Sequence, residues 1–180
     1  VRKTGFTVAP EAGTDRLLEV INQGITKADL LASCRDAFAL SWRLIKLYFM
    51  VGLPTETDED VEAIVELARK ARQQAGQGRG RPPQVNLGVA TFVPKPHTPF
   101  QWAGQLGLAE SKRRINRLKQ LLPAKGFKLK WHDPEQSFLE GVFARGDRRL
   151  SQLLATAWQR GARFDSWSEH SRLERWPQAA

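Results

Sequence analysis

The sequence predicts an α/β protein in which parallel strands alternate with helices. Three runs typical of strands begin near Gly5, Leu44 and Val85, about 40 residues apart. The segments between them carry helical periodicity and are long enough to cross over a sheet and return in parallel. The 180 residues and the 41% hydrophobic content fit one good-sized core and exclude a globally disordered chain.

The first strand is predicted over residues 5–9 and ends in a Pro-Glu-Ala-Gly-Thr turn. Thr14 can cap a helix over residues 15–22, and Thr26 can cap the next helix, with Asp29 at capping-box spacing. Strand alternation places Phe6 and Val8 on one side of the first strand, and Lys3, Thr7 and Glu11 on the other side. We therefore expect Glu11 to face the mouth of a binding site.

Cys34 shares a helix face with Leu31 and Phe38, which predicts a buried packing residue. With one cysteine, the chain can form neither an internal disulfide nor a cysteine-based metal cluster. The three histidines, at positions 97, 132 and 170, have no metal-helix spacing, so no metal site is predicted.

The second strand is predicted over residues 44–51, an apolar run that Lys46 interrupts. A lysine in a central strand is costly to bury, so it indicates either a hydrated functional interior or a side chain that reaches solvent at the strand's entrance. Gly52 and Pro54 then turn the chain, and Thr57 caps a helix with Asp60 at capping-box spacing. The apolar stripe of that helix consists of Val61, Ile64, Val65, Ala68 and Ala71.

The third strand is predicted over residues 85–93 and runs into a proline-rich loop. Gly88 and Ala90 share one face of this strand and should leave space for a ligand. The remaining predicted elements are a basic amphipathic helix at 109–122, a strand at 127–131, and helices at 135–143 and 149–160.

The formal net charge of +9 favours an anionic partner such as nucleic acid, a nucleotide or phosphate, although charge also serves solubility. RNA contact is one interpretation of Arg79, Arg81 and the basic helix; a solvated connector and a solvated helix face are the favoured ones. No run of eighteen apolar residues is present, so we expect no membrane span and a cytoplasmic protein.

Three segments, APEAGTDRLLEVINQGIT, KLYFMVGLPTETDED and NLGVATFVPKPHTPFQW, occur in this order. They resemble the fourth-, fifth- and sixth-strand segments of radical S-adenosylmethionine enzymes. Together with the segments HDPEQSFLEGVFARGDRRL and GARFDSWSEH, they are most similar to an uncharacterised branch with a cobalamin-binding-type domain before the barrel. The resemblance implies the second half of a βα barrel, with about three parallel strands over residues 1–105. A mostly helical extension over residues 106–180 would follow.

The resemblance also implies an activity, which is reductive cleavage of S-adenosylmethionine to a 5′-deoxyadenosyl radical that acts on an unknown substrate. The implied cofactor-binding residues are Glu11, Thr14, Met50, Gly52, Pro54, Val93 and Lys95. The implied substrate-side residues are Lys46, Tyr48 and His97. The loop and apolar groups near Val93 could take an adenine ring.

These enzymes need three closely spaced cysteines for a [4Fe–4S] cluster, and this chain has only Cys34. We therefore expect the chain to be the carboxyl-terminal part of a longer enzyme, inactive alone, whose upstream half supplies the cluster. A reductant is an expected partner, cobalamin is a further candidate cofactor, and RNA or another anion is a candidate substrate. The alternative function is a noncatalytic, basic RNA-binding module.

Overall fold

The computed structural model describes residues 5–76, 82–163 and 175–176, which form an α/β fold. Its elements are, in order, β1 (Phe6–Glu11), α1 (Asp15–Val20), α2 (Lys27–Ala39), β2 (Leu44–Val51), α3 (Asp58–Gln73), β3 (Gln84–Thr91), α4 (Leu108–Leu121), β4 (Phe127–Trp131), α5 (Pro134–Arg145) and α6 (Leu150–Gln159). The predicted Lys3, Arg79 and Arg81, and most of the tail, lie outside the described residues.

The strands form one four-stranded sheet in the order β1-β2-β3-β4, and every neighbouring pair is parallel. The expected alternation of strands and helices is therefore confirmed. The strand predicted at 127–131 pairs with β3 and adds a fourth member to the three strands expected from the barrel segments. Because β4 lies beyond residue 105, this sheet crosses the proposed domain division, which stays a prediction.

One face of the sheet carries the core. Buried side chains from β2 and β3 pack against α2, α3 and α4 on that face, because alternate residues of each strand point to the same side. The central members from the strands are Ile45, Leu47, Phe49, Val51, Val85, Leu87 and Val89. Cys34 is fully buried in the same core, as predicted, and burial raises the pKa of its thiol to about 11.

The helix starts follow the predicted caps. Thr14, Thr26 and Thr57 each accept a backbone N–H with their side-chain oxygen, and the last two form complete capping boxes. None of the helices in the described part of the chain has the length and apolar character that a membrane span requires.

The opposite side of the sheet is termed the inner face here. It comprises the side chains that alternate with the core positions, namely Lys46, Tyr48, Met50, Asn86, Gly88, Ala90, Lys128 and Lys130. Tyr48 is 46% exposed, and both lysines of β4 are exposed. The sheet is therefore apolar on one face and polar on the other, unlike a parallel sheet with helices on both sides.

The strand β1 follows the predicted alternation only in its first half. Phe6 and Val8 pack against the helix-side core, as expected. The register then shifts between Val8 and Glu11, so that Glu11 pairs with Phe49. This irregularity removes the simple alternation from which the direction of Glu11 was predicted.

Thr91 allows the stability cost of a buried polar group to be tested. It lies at the end of β3, it is 5% exposed, and its hydroxyl has no hydrogen-bond partner among the described residues. Thr91→Val keeps the shape and removes an unsatisfied buried group, so it should raise the free energy of unfolding by about 1 kcal/mol. The control is Thr57→Val, which removes a helix cap and should lower this free energy by about 1 kcal/mol. Urea unfolding of both variants checks the opposite signs.

Candidate functional site

The turn after β2 is built around Gly52 and Glu56. Gly52 has a φ of 88°, and a side chain there would also collide with Leu106. Its backbone N–H donates to the Glu56 carboxylate at 2.5 Å. The segment Gly52-Leu-Pro-Thr-Glu-Thr57 thus forms a turn that is stabilised by its own hydrogen bond. The N–H of Gly52 is already engaged in that bond.

Glu56 also joins this turn to α4. Its side chain is 1% exposed and accepts a hydrogen bond from Arg114, which is 11% exposed and also pairs with Glu110 at 2.9 Å. Burial raises the pKa of Glu56, and the Gly52 N–H and the Arg114 guanidinium offset part of that rise. Hydrogen bonds from Arg113 and Arg114 lower the pKa of Glu110 to about 2.

Asp60 connects the ends of β1 and β2. It is 4% exposed, and its carboxylate accepts from the Thr14 hydroxyl at 2.5 Å, from the Thr57 N–H at 2.9 Å and from Arg16. Arg16 also donates to the Thr55 carbonyl at 3.0 Å. Burial alone would favour the neutral acid, but these donors outweigh it and lower the pKa of Asp60.

A small apolar cluster fills the carboxyl edge of the sheet. Ala12, Leu53 and Phe92, each just beyond a different strand, pack with Leu17 and Leu18 of α1. Met50 and Phe100 are partly buried against this cluster. Met50, an expected cofactor residue, therefore packs against an apolar cluster at the point where three strand ends meet.

Each of the first three carboxyl-end loops contains a non-glycine residue in the left-handed region. These are Glu11, Thr55 and His97, with φ values of 71°, 67° and 62°. Such backbone costs about 1–2 kcal/mol per residue for L-amino acids. Glu11 is half-buried, and desolvation raises the pKa of its carboxyl group.

The loop after β3 is tied to α5. Lys95 pairs with Glu140 of α5, and the Lys95 carbonyl accepts from the Thr98 hydroxyl at 2.7 Å. His97 is exposed, and its backbone N–H donates to the Gln101 side chain at 3.2 Å. If Lys95 binds the cofactor through its ammonium group, as the resemblance implies, it would have to leave its carboxylate partner Glu140.

A cavity of about 110 Å³ opens on the inner face, where β2, β3 and β4 lie side by side. It is lined by Lys46, Tyr48, Asn86, Leu87, Gly88 and Lys130. Gly88 was expected to leave space for a ligand, but a Cβ there would lie 2.7 Å from the Tyr48 ring. The missing side chain thus accommodates Tyr48, and the open volume lies beside that ring.

The structure divides the expected site residues into three groups. Lys46 and Tyr48 line the cavity, whereas Lys95 and His97 lie in the loop after β3. Thr14, Gly52 and Pro54 belong to the turn network, and the hydroxyl of Thr14 is engaged by Asp60 and the Leu17 N–H. Their roles toward a ligand stay predictions, as do those of Glu11, Met50 and Val93.

Sequence reasoning missed Arg16, Arg114 and Asn86 as partners within these groups. Thr55 and Glu56, which bind Arg16 and Arg114, lie 39 and 58 positions away in the chain, and Asn86 is level with Lys46 only through strand register. No local pattern signals these placements. Lys130 belongs to the predicted strand at 127–131, and the register of β4 places it beside Gly88.

The basic helix proposed for RNA contact is extensively neutralised. Its ion pairs are Lys112–Glu135, Arg113–Asp58, Arg114–Glu56 and Arg117–Glu62. Lys119 instead lies over the Trp131 ring, 3.7 Å from its centroid. The charge of α4 is therefore largely used within the protein, which weakens the support for an RNA-binding module.

The Asp60 network predicts an acid-sensitive fold. Asp60→Asn keeps the shape but loses the charge, and it should lower the free energy of unfolding by about 1.5–3 kcal/mol at neutral pH. Because the native pKa of Asp60 lies below its ordinary value of 3.8, its contribution is present above that value and is lost as the pH falls further. Urea unfolding from pH 7 to pH 2 should show a shallower acid decline in the variant. An identical decline in Asp60→Asn and in the exposed control Glu19→Gln would contradict this role.

The buried Glu56–Arg114 pair predicts that loss of Arg114 destabilises the protein more than loss of its more exposed neighbour Arg113. Arg114→Gln leaves Glu56 buried without its cation and should cost about 3 kcal/mol at neutral pH. The deficit should shrink below pH 4.5, because a carboxyl with a raised pKa is then neutral in both states. Arg113→Gln is the matched control and should change stability little, since its partners are half exposed. Equal losses of unfolding free energy in Arg114→Gln and Arg113→Gln would contradict a specific stabilising role of the Glu56–Arg114 pair.

Comparisons with known proteins give two partial similarities. No protein-family model matches the chain, and no solved structure gives a significant match. The chain is 34% identical over 149 residues to the uncharacterised protein MJ0966 of Methanocaldococcus jannaschii. It is 32% identical over 122 residues to a tRNA-2-methylthio-N(6)-dimethylallyladenosine synthase of Jannaschia sp.. These alignments cover 83% and 62% of this chain but span only 32% and 22% of the two relatives.

Proposed function

We propose that this chain is the carboxyl-terminal half of a radical S-adenosylmethionine enzyme barrel. In this proposal the carboxyl ends of the strands contribute to cofactor binding, and the inner face of the sheet lines the substrate space. The single observation that carries the proposal is the arrangement of the sheet, which has consecutive parallel strands, helices on one face and a polar second face.

This arrangement favours a barrel segment over a doubly wound sheet. In a doubly wound fold the strand order reverses at a switch point and helices cover both faces. Here the order does not reverse, and α2, α3 and α4 pack on the same face. In a βα barrel the helices form an outer ring, and the carboxyl-end loops carry the site. The polar inner face is then the side that would line the interior.

The partial similarity to a tRNA-2-methylthio-N(6)-dimethylallyladenosine synthase supports the same family, because enzymes of that kind belong to the radical S-adenosylmethionine group. The order of the three strand-end motifs is a second support. Neither of them identifies the substrate of this chain.

Some residues at the carboxyl edge of the sheet fit a cofactor that is cationic and partly apolar. Glu11 is a half-buried carboxylate with no ion-pair partner among the described residues, and an ammonium group would lower its raised pKa. Met50 and Phe100 provide apolar surface at the same carboxyl edge of the sheet. Bound S-adenosylmethionine would supply radical chemistry there, and the part of this chain would be to orient it.

The same residues do not fit an iron–sulfur cluster. Cys34 is buried in the helix-side core, its pKa is raised, and the described residues contain no group of three possible metal ligands. Cluster thiolates must be accessible and close together. In the proposed enzyme they would therefore come from outside these 180 residues.

The proposal predicts that S-adenosylmethionine binds the protein carrying this chain and that Glu11→Gln weakens it. Loss of one charge-assisted hydrogen bond should reduce the affinity about ten- to a hundredfold. The melting temperature should change little, because Glu11 gains no charged partner in the described structure. Calorimetric titration beside a thermal melt measures both quantities.

Glu19→Gln on the exposed face of α1 is the matched control and should bind S-adenosylmethionine as the unmodified protein does. Unchanged affinity in Glu11→Gln would remove Glu11 from the site. No binding by the protein at all would overturn the proposed function.

A further inference from the structure

The lysines of the inner face differ from the cations of the helix side. Four cations of α4 are paired with carboxylates of α3, α5 or the turn after β2. By contrast, Lys46, Lys128 and Lys130 make no hydrogen bond or ion pair with any described residue. Among the described residues, the positive charge of α4 is thus largely compensated by carboxylates, whereas that of these three lysines is not.

Strand register brings these charges onto one small area. Lys46 is level with Asn86, which is level with Lys128, and Tyr48 is level with Gly88, which is level with Lys130. Lys46 and Lys130 lie two strands apart and two residues out of register, so their Cα atoms are about 12 Å apart, given about 4.8 Å between strands and about 3.3 Å per residue. Long lysine side chains at that separation can converge on one group held between them.

The cavity between these residues has the size and donors for an oxyanion. Its volume of about 110 Å³ lies beside Lys46, Tyr48 and Lys130. The side-chain oxygen of Asn86 accepts from Gln84 at 2.9 Å, which leaves the Asn86 amide nitrogen as a donor. Two ammonium groups, a phenol hydroxyl and an amide can surround a phosphate, whose charge of nearly −2 would offset the mutual repulsion of the lysines.

We propose that the inner face binds the phosphate group of a small-molecule substrate between Lys46 and Lys130, beside Tyr48 and Asn86. The inference deepens the proposed function, on which it rests, by supplying the substrate class for the barrel interior. A phosphate monoester is preferred to a monocarboxylate because the uncompensated lysines match a dianion better. A small molecule is preferred to RNA because the cavity on the inner face is small, whereas the cations of the basic helix are largely paired with carboxylates.

The test is a titration of the protein with inorganic phosphate and with phenyl phosphate, at constant ionic strength set by sodium chloride, followed by amide chemical shifts. Saturable shifts should map to β2, β3 and β4. Lys46→Gln and Lys130→Gln should each weaken binding about tenfold. Lys70→Gln is the charge-matched control on α3, on the other side of the sheet, and should leave the affinity within about twofold.

Three results would overturn the inference. They are an absence of saturable shifts, an equal weakening by Lys70→Gln, and a single-stranded RNA oligonucleotide that binds through Lys46 where phenyl phosphate does not. Tighter binding of succinate than of phenyl phosphate would also overturn the phosphate assignment. Thermal melts in phosphate-free buffer separate folding from binding, since removing an unpaired lysine should leave the melting temperature unchanged or slightly higher. Binding of S-adenosylmethionine is measured separately, so failure here leaves the proposed function standing.

Discussion

The carboxylate of Asp60 is the interaction on which the carboxyl edge of this sheet depends. It receives donors from the loop after β1, from the first turn of α1 and from the start of α3. A buried carboxylate is stable only when several donors compensate for its lost hydration, and here they do so well enough to lower its pKa. One residue therefore fixes the relative positions of two strand ends, and with them the loops that hold Glu11 and Glu56.

The local parts of this arrangement were readable from the sequence, whereas the partners across the fold were not. Thr57 and Asp60 form a capping box because they are three residues apart, and Cys34 is buried because it shares a helix face with Leu31 and Phe38. The bonds of Asp60 to Arg16, and of Glu56 to Arg114, join segments 44 and 58 residues apart. Periodicity carries no information on such pairings, because it reports which face a residue occupies and not what meets that face.

Two predictions within the candidate site rested on the pattern along a single strand. Glu11 was placed by strict alternation, but an irregular register near the end of β1 interrupts that alternation. Gly88 was taken to leave space for a ligand, but Tyr48 on the neighbouring strand occupies the space next to it. In both cases the pairing with a second strand changes what the pattern along one strand implies.

The polarity of the sheet links the fold to the proposed function. A parallel sheet is normally covered on both faces, and a sheet whose strands carry lysine and asparagine on one face gains little by burying that face against helices. Within the described chain, β1 and β4 also each have a neighbouring strand on one side only. Further strands that closed the sheet into a barrel would satisfy the outer edges and enclose the polar face without placing it against an apolar layer. A barrel interior would do both at once, and in the proposed function it would also let the unpaired lysines meet a ligand.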